Sequence, residues 1–471
     1  MTDHTSMEKQ MRASNVTDSL FDMDETFLND NLKDQCEKIE AYIGGLPRFA
    51  NGDGLMRTRR LLQLLSVWEC DIPRIHVAGT NGKGSTCAYL QSLFIGHGYR
   101  VGGFISPHLV TMRERFLIDK KPVGEEMFAE AFQKVYRAAA ELENEKKEYP
   151  TFLEFLFAMG MVIFAMAKVD LIVLETGLGG KLDATNVYDK TDVCVLTSIG
   201  LDHCKILGDT KEKIAAEKAG IIKDGADVVF IDVEAGITDV FMQASRIHHA
   251  NVNKIDKSQF YVEKIKHKNI DFSYKSSYYN YISLTLSTYA LYQVDNATLA
   301  LRAYEAFCMR HELTPMPAEE IKNAVLHTFW EGRMEEVDKD IFFDGAHNED
   351  GIRAFLQSVQ AIPCQGKRIL CFSAVDDKDY QQMITLLCES GLFSEAVAID
   401  MEIKRGLGIE ALQRYFSHFS RMNVYYERGV QNGINRCLCI RTDADQVFIV
   451  GSLYLVGLIK TVFRRKSNDQ L

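Results

Sequence analysis

From Pro73 onward the chain alternates short apolar runs with stretches of helical periodicity, and this alternation limits the fold more than any other feature. The runs are RIHVAG, VGGFIS, DLIVLE, DVCVLTSI and DVVFI. Helical patterns lie between them at 85–96, 125–143, 152–167 and 210–220. Parallel strands need crossovers, usually helices, and they bury both faces, so they read as nearly continuous apolar runs. The expected fold class is therefore α/β, a mostly parallel sheet covered by helices. Residues 252–286 change character, and FSYKSSYYNYISLTL suggests a small antiparallel patch. A helix is expected around 294–310. After Trp330-Glu331-Gly332 the alternation restarts with DIFFDGA, RILCFSAV, EAVAID and QVFIVGS. A chain of 471 residues exceeds what one core usually serves. The expected division is a tail at 1–32, a large domain at 33–330 and a smaller Rossmann-like α/β domain at 331–471.

The first run ends in an unusual turn. RIHVAG passes into Thr80-Asn81-Gly82-Lys83-Gly84-Ser85, and a helix is expected to start near Ser85. Glycines let a chain turn sharply and aim several N–H groups at one point. A helix N-terminus adds partial positive charge, and Lys83 adds a full one. The combination suits a polyphosphate. The spacing departs from G-x-x-x-x-G-K-[ST], since Gly79 and Gly82 are closer and Gly84 precedes Ser85. Taken alone, the turn is also compatible with a tight structural bend.

Other run ends carry chemistry. DLIVLE ends in Glu175, where open α/β sheets bind ligands and where a carboxylate could hold Mg²⁺ or merely cap the next helix. VGGFIS ends in the hydroxyl of Ser106, and DVCVLTSI leads to His203. In a parallel sheet these ends converge on one rim. Lys218, in KIAAEKAGIIK, is either an exposed helix lysine or a buried one near cations. Burial would make it neutral, and a neutral amine can take up CO₂ as an anionic carbamate.

Composition removes some classes. The net charge of -11, from 54 basic and 65 acidic residues, argues against a nucleic-acid partner, which needs a basic face. The eleven cysteines are scattered, with only Cys437 and Cys439 adjacent, as C-x-C, so reduced thiols in a cytoplasmic protein are expected. The N-terminal stretch lacks an apolar core of signal-peptide length. Phe155–Ala167 is too short to span a bilayer and reads as a buried helix.

The motifs HVAGTNGKGST, ISPHL, ETGLGGKLDATNV, IGLDHCKILGDTKEKIAAEKAGIIK, QVDNA, DGAHN and GSLYLVG together resemble the folylpolyglutamate synthase/dihydrofolate synthase family, a branch of the Mur ligase superfamily. They run in order from about residue 35 to 460. The resemblance implies a P-loop-containing, mostly parallel ATPase domain plus a second, smaller Rossmann-like domain. It implies an ATP-dependent ligase that phosphorylates a carboxyl group of a reduced folate, or of dihydropteroate, and joins it to L-glutamate. ATP and Mg²⁺ are the implied cofactors, with a carbamylated Lys218, in a monomer. Asn81, Gly82, Lys83, Gly84 and Ser85 would hold ATP phosphates. Asn296 would face the adenine, and Arg333 and Asp344 would reach ATP from the second domain. Ser106, Glu175, His203 and Lys218 would hold metal ions. Lys83, Lys218 and His347 would be catalytic, His347 lying near the glutamate side. Thr151, Phe152, Leu153 and Glu154, with Leu182, Asp183 and Ala184, would line the pterin pocket. The need for residues on both sides of 330 implies domain closure.

Three departures from the family pattern stand out: Lys181 replaces an arginine, Glu349 follows DGAHN where proline is common, and ANGDGLMRTRR lacks the glycine-leucine-glutamate-arginine pattern of bifunctional bacterial enzymes. The last bears on dihydropteroate as a substrate. Two alternatives are weaker. A peptidoglycan Mur ligase would carry a substrate domain before the phosphate loop, and only 78 residues precede Gly79. A non-catalytic nucleotide-binding regulator would lack a metal ligand or the loop lysine.

Overall fold

The computed structural model describes residues 31–468 apart from 51, 70, 146–147 and 420–421, with side chains followed to 462. The expected tail at 1–32 falls almost wholly outside the described residues.

Eight strands form the first sheet: β1 (Arg74–Ala78), β2 (Val101–Phe104), β3 (Phe116–Ile118), β4 (Lys121–Pro122), β5 (Leu171–Glu175), β6 (Val193–Leu196), β7 (Asp227–Asp232) and β8 (Asn251–Asp256). Their order is β4-β3-β2-β5-β1-β6-β7-β8. From β2 to β8 all pairings are parallel, and β3 and β4 add an antiparallel edge. Strands β1, β5 and β6 are buried at every position, as two-sided cover requires. The helices Lys83–Gly96 and Gln293–Arg310 pack together on one face. The helix Phe152–Ala167 covers the other and buries thirteen of its residues. It starts at a capping box of Thr151 and Glu154, and each fully buried phenylalanine on it contributes roughly 2–3 kcal/mol.

The antiparallel patch is a meander of β9 (Phe260–Lys266), β10 (Asn269–Ser276) and β11 (Asn280–Ser287). The segment from 251 to 256 does not belong to it, because β8 pairs parallel with β7 along all six residues.

The second sheet contains β12 (Glu335–Asp338), β13 (Ile341–Phe343), β14 (Arg368–Phe372), β15 (Glu395–Asp400), β16 (Asn423–Arg428) and β17 (Gln446–Val450). Its order is β12-β13-β17-β14-β15-β16, parallel except for β12. The four expected runs are β13, β14, β15 and β17; the edge strands β12 and β16 carried no clear apolar signal. Among the described residues no helix is long and apolar enough to cross a membrane, and the ten described cysteines are unpaired.

Candidate active site

A cavity of about 510 Å³ lies between the carboxyl ends of the two sheets. The loops after β1, β2, β5 and β6, four adjacent strands of the first sheet, all line it, as do those after β13, β14 and β17.

The loop after β1 is held by close backbone approaches. Gly82 has φ +85°, and a Cβ there would meet Asn296 Oδ1 at 2.2 Å. A Cβ on Gly84 would meet the Trp330 indole at 2.8 Å. Thr80 N–H donates to Ser198 O (2.8 Å), and Thr197 Oγ1 donates to Asn81 O (2.7 Å), tying the loop to the end of β6. The helix begins at Lys83, two residues earlier than expected.

Two lysines converge on this loop. Lys83 Nζ donates to Gly79 O (3.1 Å) and Thr80 O (3.2 Å), and Lys218 Nζ donates to the same Gly79 O at 2.8 Å. Among the described residues neither has a carboxylate in salt-bridge range. Burial, then the Lys83 charge, lowers the Lys218 pKa to about 7. The buried reading of Lys218 thus prevails over the exposed one, since its side chain is 4% exposed.

Glu175, at the end of β5, is buried, and its Oε2 accepts the Ser106 N–H at 3.0 Å. Burial raises its pKa, opposed first by Lys83. Ser106 Oγ accepts from Arg115 Nη1 at 3.1 Å. His203 lies on the same cavity but turns elsewhere: its Nε2 is 3.3 Å from Lys378 Nζ. Burial lowers its pKa, opposed by Asp202. No cluster of three or more His, Cys, Asp or Glu suited to a metal occurs among the described residues. What the site offers a hard cation is the oxygen pair of Glu175 and Ser106, which fits Mg²⁺ with phosphates and water completing its shell.

From the second domain, Asp344 is buried, and its Oδ2 accepts from Tyr292 OH (2.6 Å) and Met334 N–H (3.0 Å). Burial raises its pKa, countered first by Arg333. Arg333 lines the cavity beside Gly345. His347 Nδ1 donates to Gly345 O at 2.7 Å, and its Nε2 stands 3.7 Å from Asp202 Oδ2.

Asn81, Gly82, Lys83, Gly84, Ser106, Glu175, His203, Lys218, Asn296, Arg333, Asp344 and His347 all line this one cavity. Ser85 does not; its hydroxyl is buried and accepts from Gln293 Nε2 at 3.1 Å. None of the seven expected pterin-pocket residues lines it either. Glu154 is locked to Arg57 by two hydrogen bonds of 2.8 Å, and Thr151 caps the helix that follows. Phe152 is buried beneath Arg48, whose guanidinium sits 3.6 Å over the ring. Leu153 packs against Gly177. Leu182 is 76% exposed, while Ala184 is buried. Asp183 accepts from the N–H groups of Gly177 (2.9 Å) and Leu178 (2.8 Å), shaping the loop that does line the cavity.

Several residues escaped the sequence reading. Asp202 accepts from Lys378 Nζ (2.5 Å) and Asn348 Nδ2 (3.3 Å), joining the two domains. Against the opposing effect of burial, His347 first and then Lys378 hold its carboxyl far below the usual range. Asn348 and Asn81 exchange two reciprocal amide hydrogen bonds of 3.0 Å. Asp202 stands beside His203 in a motif already noted, which was its only signal; Lys378 lies in a charged loop that reads as solvated surface.

Comparison with known proteins agrees with this architecture. The profile of the Mur ligase middle domain matches residues 77–304, and that of the Mur ligase glutamate ligase domain matches 332–453. The dihydrofolate synthase/folylpolyglutamate synthase of Bacillus subtilis is 33% identical over 355 residues, covering 74% of this chain and 82% of that protein. The folylpolyglutamate synthase of Lacticaseibacillus casei is 30% identical over 430 residues, covering 89% and 96%. Among solved structures, Mycobacterium tuberculosis folylpolyglutamate synthase complexed with ADP superposes with a TM-score of 0.84 at 26% identity, covering 92% of this chain and 99% of that one. E. coli FolC in complex with DHPP and ADP gives 0.79 at 26% identity, covering 92% and 98%. With the two Mur ligase domains matched in order and relatives aligned along most of its length, the chain belongs to the folylpolyglutamate synthase/dihydrofolate synthase family of Mur ligases.

Proposed function

We propose that this chain is an ATP-dependent ligase that adds L-glutamate to a carboxyl group of a reduced folate, acting as a monomer. A central domain of residues 33–330 and a glutamate-ligase domain of residues 331–471 meet over the cavity. One juxtaposition supports the reading above others: two lysines bound only to backbone carbonyls stand beside a buried carboxylate, at the ends of four adjacent strands.

A carboxylate is a poor acyl donor until one of its oxygens becomes a good leaving group. In the first step an acceptor oxygen bonds to the γ-phosphorus of ATP. The bond from that phosphorus to the bridging oxygen breaks, and ADP departs. Lys83 and the N–H groups of the glycine loop neutralise the charge on the transferring group. In the second step the glutamate nitrogen bonds to the acyl carbon, the carbon–oxygen bond to phosphate breaks, and phosphate leaves with the electron pair. The nitrogen sheds a proton, and His347, with Nδ1 donated to Gly345 O, keeps Nε2 to take it. Asn296 faces the adenine side, and Arg333 and Asp344 meet ATP from the second domain.

Glu175 and Ser106 would hold Mg²⁺, which when bound supplies further neutralisation of the phosphoryl oxygens. His203 joins that set only by leaving Lys378. Lys218, with a pKa near 7, is substantially neutral at neutral pH and suited to carbamylation, which would give a second anionic ligand.

The acceptor we assign is a folate that already carries glutamate. Met56, where the bifunctional bacterial pattern has a glutamate, is 54% exposed and offers no carboxylate to a dihydropteroate. ADP release measured with tetrahydrofolate and with dihydropteroate tests this directly. Glutamate-dependent release with tetrahydrofolate is expected; ATP binding with no such release would leave a nucleotide-binding protein without ligase activity.

A further inference from the structure

Beside the cavity, behind Ser106, is a positive region separate from the phosphate loop. Arg115 is 5% exposed, yet its hydrogen bonds go to neutral acceptors: Nε to His108 Nδ1 (2.8 Å) and Nη1 to Ser106 Oγ (3.1 Å). The carboxylates around it are committed elsewhere. Glu114 accepts from the N–H groups of Leu109, Val110 and Thr111, and Glu175 accepts from Ser106. Arg48 lies 3.6 Å above the Phe152 ring, and Arg115 lies 5.3 Å from the same ring. Among the described residues Arg48 has no hydrogen bond or ion pair. Arg405, from the second domain, lines the cavity with Tyr454, and among the described residues its acid partner is Asp377, on the same cavity.

The three guanidinium groups act on one another and on their surroundings. Burial, then the Arg48 charge, lowers the Arg115 pKa to about 10, opposed by Glu175, Tyr454 and Glu114. Arg48 is lowered by burial, opposed by Tyr454, with a smaller lowering from Arg405. His108 is pushed down to about 3 by burial and by both Arg115 and Arg48, so it stays neutral. Buried or clustered cations without acids are unfavourable unless an anion arrives. Arginine also pairs carboxylates with two parallel hydrogen bonds.

We infer that Arg115, Arg48 and Arg405 form a track for the α-carboxylates of an oligo-γ-glutamate tail, so that acceptors carrying longer tails are held by more ion pairs. This rests on the ligase reading above. Each added glutamate leaves one free α-carboxylate along the tail while the terminal γ-carboxyl stays at the phosphate loop. The acceptor therefore gains a negative charge per turnover, and arginines beside the reacting end can pair that charge. Arg115, bonded to Ser106 Oγ, stands at the reacting end, while Arg48 comes from the first domain and Arg405 from the second.

The test compares tetrahydrofolate bearing one γ-linked glutamate with the form bearing four, at fixed ATP and L-glutamate, in the unsubstituted enzyme and in Arg48→Ala, Arg48→Lys and Arg405→Ala. Arg48→Ala should lower kcat/KM for the four-glutamate acceptor roughly tenfold more than for the one-glutamate acceptor, the effect of losing one charge-assisted pair. Arg48→Lys should recover most of the difference, and raising NaCl should compress the preference of the unsubstituted enzyme. Arg405→Ala should act in the same direction and less strongly, because Arg405 is already paired with Asp377. Equal losses on both acceptors, or an unaltered ratio in both alanine variants, would overturn the track while leaving the ligase reading intact. If the unsubstituted enzyme turned over neither acceptor, both readings would fall together.

Discussion

The two rims of the cleft are built from similar parallel sheets but hold their charge in opposite ways. On the first rim Lys83 and Lys218 donate only to backbone carbonyls and share one of them. On the second rim the polar groups already have partners. Asp344 is bonded by Tyr292 and two N–H groups, Asn348 by Asn81, and Lys378 by Asp202. The contrast separates two tasks. The first rim keeps cations uncompensated where a triphosphate fits, and the second spends its polar groups on holding the domains together. Substitutions on the two rims should therefore have different signatures.

The largest effect belongs to the open rim. Lys83→Ala should reduce kcat about 10³-fold or more, as losing a charge aimed at a transferring phosphoryl group does. The melting temperature should stay close to that of the unsubstituted protein, because among the described residues the Lys83 ammonium bonds only to backbone carbonyls. Steady-state ADP release with a parallel thermal melt checks both halves; an unimpaired rate would refute the phosphate cradle.

Next comes the closed rim. Lys378→Ala leaves Asp202, 10% exposed, without its ammonium partner, and unpairing a buried charge costs about 3–5 kcal/mol when no water reaches it. Asp202 retains Asn348, so the expected result is smaller: a tenfold or greater rise in KM for glutamate, with ATP affinity nearly unchanged. Equilibrium nucleotide binding alongside glutamate titrations separates the two. A parallel loss of ATP affinity would mean that the rims are not independent.

The smallest effect is a pH dependence. Burial lowers the Lys218 pKa in the folded chain to about 7 from the 10.5 of an exposed lysine, so between these values the unfolded chain binds more protons than the folded one. Stability therefore rises with pH across that window, and the penalty is fully developed below about pH 7. Lys218→Met should remove this slope in CO₂-depleted buffer. Chemical denaturation at pH 6.5, 8 and 9.5 reads it; equal slopes in both proteins would mean that Lys218 is not held neutral by burial.

What was legible in the sequence follows the same division. The strands of the first rim are buried on both faces and the phosphate loop is contiguous, so both show as local patterns. Edge strands do not. In β16 (NVYYER) and β12 (EEVD) the polar residues and half-exposed positions leave no apolar run. The helix Ala235–Ile247 buries only Phe241 and Ser245 and gives a similarly faint pattern. The closed rim was invisible for another reason. Asn81 and Asn348 are 267 positions apart, and Asp202 and Lys378 are 176 apart, so only the folded topology brings them together. The pterin-pocket residues illustrate the reverse case. The motif around Thr151–Glu154 is plain and its capping box is local, yet the Arg57 pair that also occupies Glu154 depends on a helix about a hundred residues earlier.

Trp330 rests its indole against Gly84, at the junction where one half of the molecule gives way to the other. The chain has only two tryptophans, and Trp68 is stacked on Tyr188 at 5.1 Å within a separate core. A fluorophore thus sits on the bend proposed to cradle the nucleotide, and its emission offers a label-free signal of occupancy and of interdomain motion without any engineered dye.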